Sequence, residues 1–227
     1  MDKKSKSIYI TLSVLILSIA VSYVDAIIKP NYWIKIIIKM IAYLLVPMSY
    51  FLINKEEFKE FKKMFIPNKK DFQKTTTLSI TIYITLVAGY FLLRNIIDFS
   101  NVTNNLTNNM GITLNNFLYV TIYIAFINSF CEEFFYRGYS FITLKKHTNR
   151  IFAYIFSSAL FAIYHIGMLL ESFETTTLFL AVIGLFVGGC IFSYLNEKSN
   201  NIYPSWIVHM FTNFGINTIG FILFTIA

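Results

Sequence analysis

Apolar residues run along this chain in long unbroken blocks, without the 3.6-residue recurrence of a water-facing helix or the alternation of a half-buried strand. A helix needs about 20 predominantly apolar residues to cross the hydrocarbon of a bilayer. Seven blocks meet or approach that length: Ile8–Ile28, Ile36–Ile53, Thr75–Ile97, Phe117–Phe141, Ile151–Leu170, Leu178–Leu195 and Ile202–Ala227. The predicted fold class is all-α, a polytopic bundle of about seven membrane-spanning helices. The second block is short and begins beside Lys35 and Lys39, whose stems can carry their ammonium groups toward the interface. Gly188-Gly189 in the sixth block marks either a break or a close contact with another helix.

The polar connections set an orientation. Lys3, Lys4 and Lys6 precede the first block; Lys55, Lys59, Lys62, Lys63, Lys69, Lys70 and Lys74 fill the second connection; Lys145, Lys146 and Arg150 fill the fourth. The intervening connections are poor in Lys and Arg, which places the N-terminus in the cytoplasm and the far end outside. The first block has no small-residue cleavage site after it and is expected to stay as an anchor. Within residues 54–74, Phe58, Phe61, Met64 and Phe65 recur at roughly helical spacing among lysines. This stretch is expected either to lie on the membrane surface or to form a solvated linker. The chain divides into residues 1–116, three helices with the basic connection 54–74, and residues 117–227, four helices forming the candidate core, within one integral membrane domain.

Composition agrees: 56% of the 227 residues are hydrophobic and 14% charged. The formal charge of +7 lies in short segments beside apolar blocks, so it is assigned to membrane orientation and no nucleic-acid partner is expected. Cys131 and Cys190 sit inside apolar blocks and read as free buried thiols. The abundance of Ile, Asn, Lys, Phe and Tyr, all with AT-rich codons, points to a low-GC bacterium and hence to its plasma membrane.

Ionisable side chains are costly within a bilayer, by about 2.5 kcal/mol or more each on insertion scales, and mark function. The fourth block carries Glu132, Glu133 and Arg137, the fifth ends in His165 after Phe161, and the seventh carries His209 and Asn213. A lone helical histidine is more often a satisfied core residue than a catalyst, but two of them beside an intramembrane Glu-Glu-x-x-x-Arg change that balance. On an α-helix adjacent residues point about 100° apart and residues four apart share a face, so Glu133 can pair with Arg137 as structural support while Glu132 is left for chemistry. If the polar faces converge on one cavity, Glu132 and His165 can polarise a water while His209 and Asn213 donate to a developing oxyanion. The same Glu132, His165 and His209 could instead hold a divalent metal such as zinc. No H-E-x-x-H occurs, and asparagine is a poor zinc ligand, so the favoured version needs no cofactor.

Glu132-Glu133-Phe-Phe-Tyr-Arg137, Phe161-Ala-Ile-Tyr-His165 and His209-Met-Phe-Thr-Asn213 resemble, in order and spacing, the EExxxR, FxxxH and HxxxN motifs of the CAAX-protease and bacteriocin-processing (CPBP, or Abi) family, which includes the type II CAAX prenyl endopeptidases. The resemblance covers the chain from Phe117 onward. It implies an intramembrane endopeptidase in which Glu132 with His165 is the general base, His209 and Asn213 form the oxyanion site, and Glu133 and Arg137 support the helices. Family members are often labelled metalloproteases. The implied partners are membrane lipid and a membrane-associated peptide or protein substrate, and bacteriocin immunity or peptide maturation is the implied setting. Two other classes compete: a non-catalytic immunity or scaffold protein keeping the fold, and an ion-coupled transporter, which also places Glu and His in the membrane.

Overall fold

The computed structural model describes residues 1–226, apart from the side chains of residues 69–71 and 226; the side chains of Lys69 and Lys70 in the basic connection, and Ala227, lie outside the described residues. Helix α1 covers Lys3–Ile28, α2 Tyr32–Ile53, α3 Lys55–Lys63, α4 Lys69–Leu93, α5 Ser100–Asn108, α6 Phe117–Thr143, α7 Arg150–Leu169, α8 Thr175–Ser199 and α9 Tyr203–Ile226. No strand occurs among the described residues. Seven of these helices, all but α3 and α5, are long and apolar enough to cross a membrane. The protein is an all-α, multi-pass bundle.

Helix starts follow local chemistry. Asn31 and Asn149 cap α2 and α7 by accepting the amides of Ile34 at 3.0 Å and Phe152 at 2.7 Å, which satisfies donors a first turn leaves open. Asn200 stops α8 in the left-handed conformation, at φ 50°. The outward faces present Ile16, Leu45, Leu52, Leu118 and Phe179, all more than half exposed, as lipid-facing helices require.

Helix α6 runs through the centre and touches α1, α2, α3, α7, α8 and α9, while α9 packs along α4 and α8 along α7. The interior around α6 is aromatic, with Tyr43, Tyr50, Phe51, Phe135, Tyr136 and Tyr139 fully buried. Their hydroxyls are paired between helices: Tyr136 with Ser18 and with Tyr43, both at 3.0 Å, and Tyr139 with Ser13 at 2.9 Å. A buried polar group without such a partner would cost free energy comparable to a lost hydrogen bond. Helix α8 is unbroken at Gly188-Gly189, so the glycine pair marks a close contact: a Cβ at Gly189 would come within 3.1 Å of the Ser158 backbone.

The apolar face of the amphipathic segment packs on the bundle. Phe61 and Met64 are buried in the bundle, and the Phe61 ring stacks on Phe51 at 4.2 Å and meets Phe134 edge-on at 5.3 Å. A Cβ on Gly138 would lie 2.7 Å from the Phe61 ring, so this glycine is what lets the ring seat against α6. Beyond α3, the Ile202 amide donates to the Met64 carbonyl at 3.1 Å and Asn201 donates to the Ile66 carbonyl at 2.5 Å. The apolar stripe thus packs on the protein, with Phe61 and Met64 buried and Phe58 and Phe65 partly so. Glu57 ties α3 to the rim, accepting from Lys6 at 2.6 Å and Tyr50 at 2.7 Å and pairing with His147 at 3.1 Å. Burial pushes the Glu57 carboxyl up, but the bonds from Lys6, Tyr50 and His147 together outweigh it and hold the group below its ordinary value.

Candidate active site

Helix α6 is not a regular α-helix where it carries the paired glutamates. It winds as a π-helix over Tyr123–Asn128, returns to α over Ser129–Glu132, and is π again over Glu133–Thr143. The Thr143 hydroxyl bonds the Gly138 carbonyl five residues back, in step with the wider winding. π-Segments recur at functional sites. Here the change of winding falls between the two adjacent carboxylates.

Glu133 faces Arg137, with Oε1 and Nη1 3.2 Å apart and both side chains fully buried. The Arg137 guanidinium lies over the Phe161 ring, 3.9 Å from its centroid, and 4.9 Å from that of Phe192. A weakly hydrated guanidinium suits such a cage, and its charge balances Glu133. The same Glu133 oxygen accepts from His209 Nδ1 at 2.9 Å, which fixes the orientation of that imidazole and points its Nε2 at Glu132 Oε2, 3.6 Å away. Phe192 stacks on the His209 ring at 5.1 Å. Glu133 therefore supports the site from two directions, holding both the arginine and a histidine.

Glu132 is 1% exposed. Its Oε1 accepts from Asn128, one turn earlier on α6, at 2.6 Å and from Lys39 of α2 at 2.6 Å. Its Oε2 has no hydrogen-bond partner among the described side chains and backbone. Lys39 was expected at the interface, but its ammonium is turned inward. It also donates to the Tyr164 hydroxyl at 3.2 Å and lies 4.8 Å from the centre of that ring.

His165 terminates the first part of α7 and sits on the same face as Phe161, whose carbonyl accepts its Nδ1–H at 2.7 Å. In the neutral ring that bond leaves the lone pair on Nε2, where the Tyr164 hydroxyl approaches at 3.1 Å. His165 is thus joined to Glu132 through Tyr164 and Lys39. The Phe161 ring packs edge-on against both imidazoles, at 4.8 Å from His165 and 5.8 Å from His209. Asn213 follows His209 by one turn, and one hydrogen of its amide goes to the Ile124 carbonyl at 3.2 Å, in the first π-segment of α6.

Glu132, Glu133, Arg137, Phe161, His165 and His209 therefore meet in one packed cluster between α2, α6, α7, α8 and α9, while Asn213 bonds α6 at Ile124. Lys39, Asn128 and Tyr164 also belong to it, and residue-type reasoning had not singled them out. Asn128 precedes Glu132 by four positions and Tyr164 precedes His165, so both lay within reach of the motif spacing. Lys39 satisfied the same rule as the glutamates, an ionisable residue within an apolar span. Among the described residues no three His, Cys, Asp or Glu side chains are grouped so as to enclose a metal ion. Glu132 Oε1 is engaged by an ammonium and an amide, while Oε2 is left facing His209 Nε2 at 3.6 Å.

Residues 114–215 match the family model described as type II CAAX prenyl endopeptidase Rce1-like. The matched segment contains every cluster residue on α6, α7, α8 and α9 and excludes Lys39. No curated protein and no solved structure matches the chain.

Proposed function

From the place of residues 114–215 in the type II CAAX prenyl endopeptidase family, Rce1-like, we propose that this chain is an intramembrane endopeptidase that hydrolyses a peptide bond of a membrane-associated peptide or protein by a Glu-activated water. The observation that carries the reading is the asymmetry of Glu132: one oxygen is held by two donors, and the other faces His209 Nε2 within the membrane-spanning bundle. A carboxylate so held is oriented and charged, with a free lone pair to take a proton.

In the proposed reaction a water hydrogen-bonded to Glu132 Oε2 gives its proton to Glu132 as its oxygen bonds to the scissile carbonyl carbon. The carbonyl oxygen takes the negative charge, which His209, when its Nε2 carries a proton, and the second amide hydrogen of Asn213 would meet. When the C–N bond breaks, the proton on Glu132 passes to the departing amine, and the carboxylate is restored. His165 completes the base side through Tyr164, whose hydroxyl can turn between His165 and Glu132. Glu133, Arg137 and Phe161 hold the two imidazoles in place. No step needs a cofactor. The chain is assigned to a bacterial plasma membrane with its N-terminus in the cytoplasm, and bacteriocin immunity or peptide maturation is the proposed setting.

The test compares membrane peptidomes of cells carrying the intact chain with those carrying Glu132→Gln, followed by cleavage of the identified peptide by purified protein with and without a chelator. Products are expected only from the intact chain, undiminished by chelation. Identical peptidomes would favour a scaffold or transporter, and loss of cleavage on chelation, restored by zinc, would reassign Glu132, His165 and His209 as metal ligands.

A further inference from the structure

The buried charges of the cluster separate into two pairs. Glu133 has Arg137 from its own helix, with the carboxylate and guanidinium 3.2 Å apart. Glu132 has Lys39, and that lysine comes from α2, outside the segment that matches the family model. The titratable groups around the Lys39 ammonium are Glu132 from α6, Tyr164 and His165 from α7 and His209 from α9; on its own helix are Tyr43 and Lys35, the latter paired with Asp25 of α1 at 3.6 Å. Removing Lys39 would leave Glu132 without a counter-charge in a site where its side chain is 1% exposed. A carboxylate so buried takes up a proton. A protonated Glu132 cannot accept one from water.

The geometry gives the lysine a second effect. By donating to the Tyr164 oxygen, Lys39 leaves the hydroxyl proton of Tyr164 for His165 Nε2. By occupying Glu132 Oε1 together with Asn128, it leaves Oε2 toward His209. We infer that Lys39 is a positioning residue for the proteolytic site, an N-terminal-half cation that keeps Glu132 ionised and aims its free oxygen at His209. The inference rests on the reading of Glu132 as general base. It gives the N-terminal helices a part in the chemistry.

The test uses the full chain in liposomes, with Lys39→Met to remove the charge at similar length and Lys39→Arg to keep it. Infrared difference spectra against the matching Glu132→Gln forms report the protonation of Glu132 directly. An ionised carboxylate band is expected in the intact chain and in Lys39→Arg, and a protonated carboxyl band in Lys39→Met. With a fluorogenic peptide spanning the cleavage site found in the peptidome comparison, Lys39→Met should lose about tenfold or more in kcat with little change in KM. Lys39→Arg should recover most of that loss. An ionised Glu132 band with full kcat in Lys39→Met would overturn the inference. If Lys39→Met fails to fold, the double variant Lys39→Met/Glu132→Gln decides: recovery of the fold shows that the lysine acts through Glu132, and failure assigns it to packing and overturns the inference. The underlying reading fails separately, by full cleavage in Glu132→Gln.

Discussion

Glu132 and Glu133 are neighbours in the chain, yet they differ in what a single substitution would leave behind. In Glu133→Gln the Arg137 charge stays fully buried between Phe161 and Phe192 with no carboxylate to face it. Breaking a buried pair in this way costs about 3 to 5 kcal/mol. Glu133→Gln should therefore show a lowered thermal midpoint and lose His209 alignment along with activity. In Glu132→Gln the stranded cation is Lys39, whose side chain is 17% exposed and whose stem can carry the charge outward. That variant should keep its thermal midpoint close to the intact chain while losing cleavage. Equal destabilisation of the two would contradict the division of labour between the carboxylates. The motif spacing made Glu133–Arg137 legible, because the (i, i+4) relation is local to one helix. It could not show that His209 also bonds Glu133, since that contact joins residues 76 positions apart.

At the scale of elements, two contacts decide how the site's supports are held. A Cβ on Gly167, two residues after His165, would lie 2.5 Å from the Ser22 carbonyl oxygen, which is backbone of α1 and cannot swing aside. Gly167→Ala should cost about 1 to 3 kcal/mol through overpacking and displace the end of α7 that carries His165. Gly188→Ala, with nothing within 4 Å of its Cβ, is the control and should leave thermal stability and cleavage near the intact values. The second contact is the Glu57 tether of α3. The folded Glu57 carboxyl lies below its ordinary value of 4.5, so its contribution is present above that value and is lost as pH falls through the folded value. Thermal midpoints of the intact chain and Glu57→Gln should accordingly differ at neutral pH and converge on acidification below 4.5. A constant difference would remove Glu57 ionisation as the cause. The periodicity of Phe58, Phe61, Met64 and Phe65 announced an amphipathic helix, but periodicity states only that one face is apolar. Gly138 and the rings of Phe51 and Phe134 decided that the face turns to protein.

For the whole molecule, the open matter is which side of the membrane each rim faces. The basic residues before α1, in the α2–α4 connection and between α6 and α7 predict one common side, the cytoplasm. Lys62 and Asn101 are both exposed and lie in connections of opposite predicted side. In a background with Cys131 and Cys190 replaced by alanine, Asn101→Cys should react with a membrane-impermeant maleimide in intact cells, and Lys62→Cys only after permeabilisation. Labelling of both from outside would invalidate the orientation and with it the assignment of α3 to the cytoplasmic rim.

The sequence by itself determined that the chain is an all-α membrane bundle and which polar side chains on its C-terminal half are candidates for chemistry. Both follow from costs that any sequence must meet: about 20 apolar residues per span, and a reason for every ionisable group placed among them. Only the tertiary structure decided which groups pair. Lys39 looked like a snorkelling residue near a helix start, and no local rule could bring α2 beside α6 or choose between the interface and Glu132. The change from α to π winding between Glu132 and Glu133, the route from His165 through Tyr164, and the inward docking of α3 were decided there too. Each depends on partners far away in the chain, where packing and the satisfaction of buried polar groups outweigh any preference written locally.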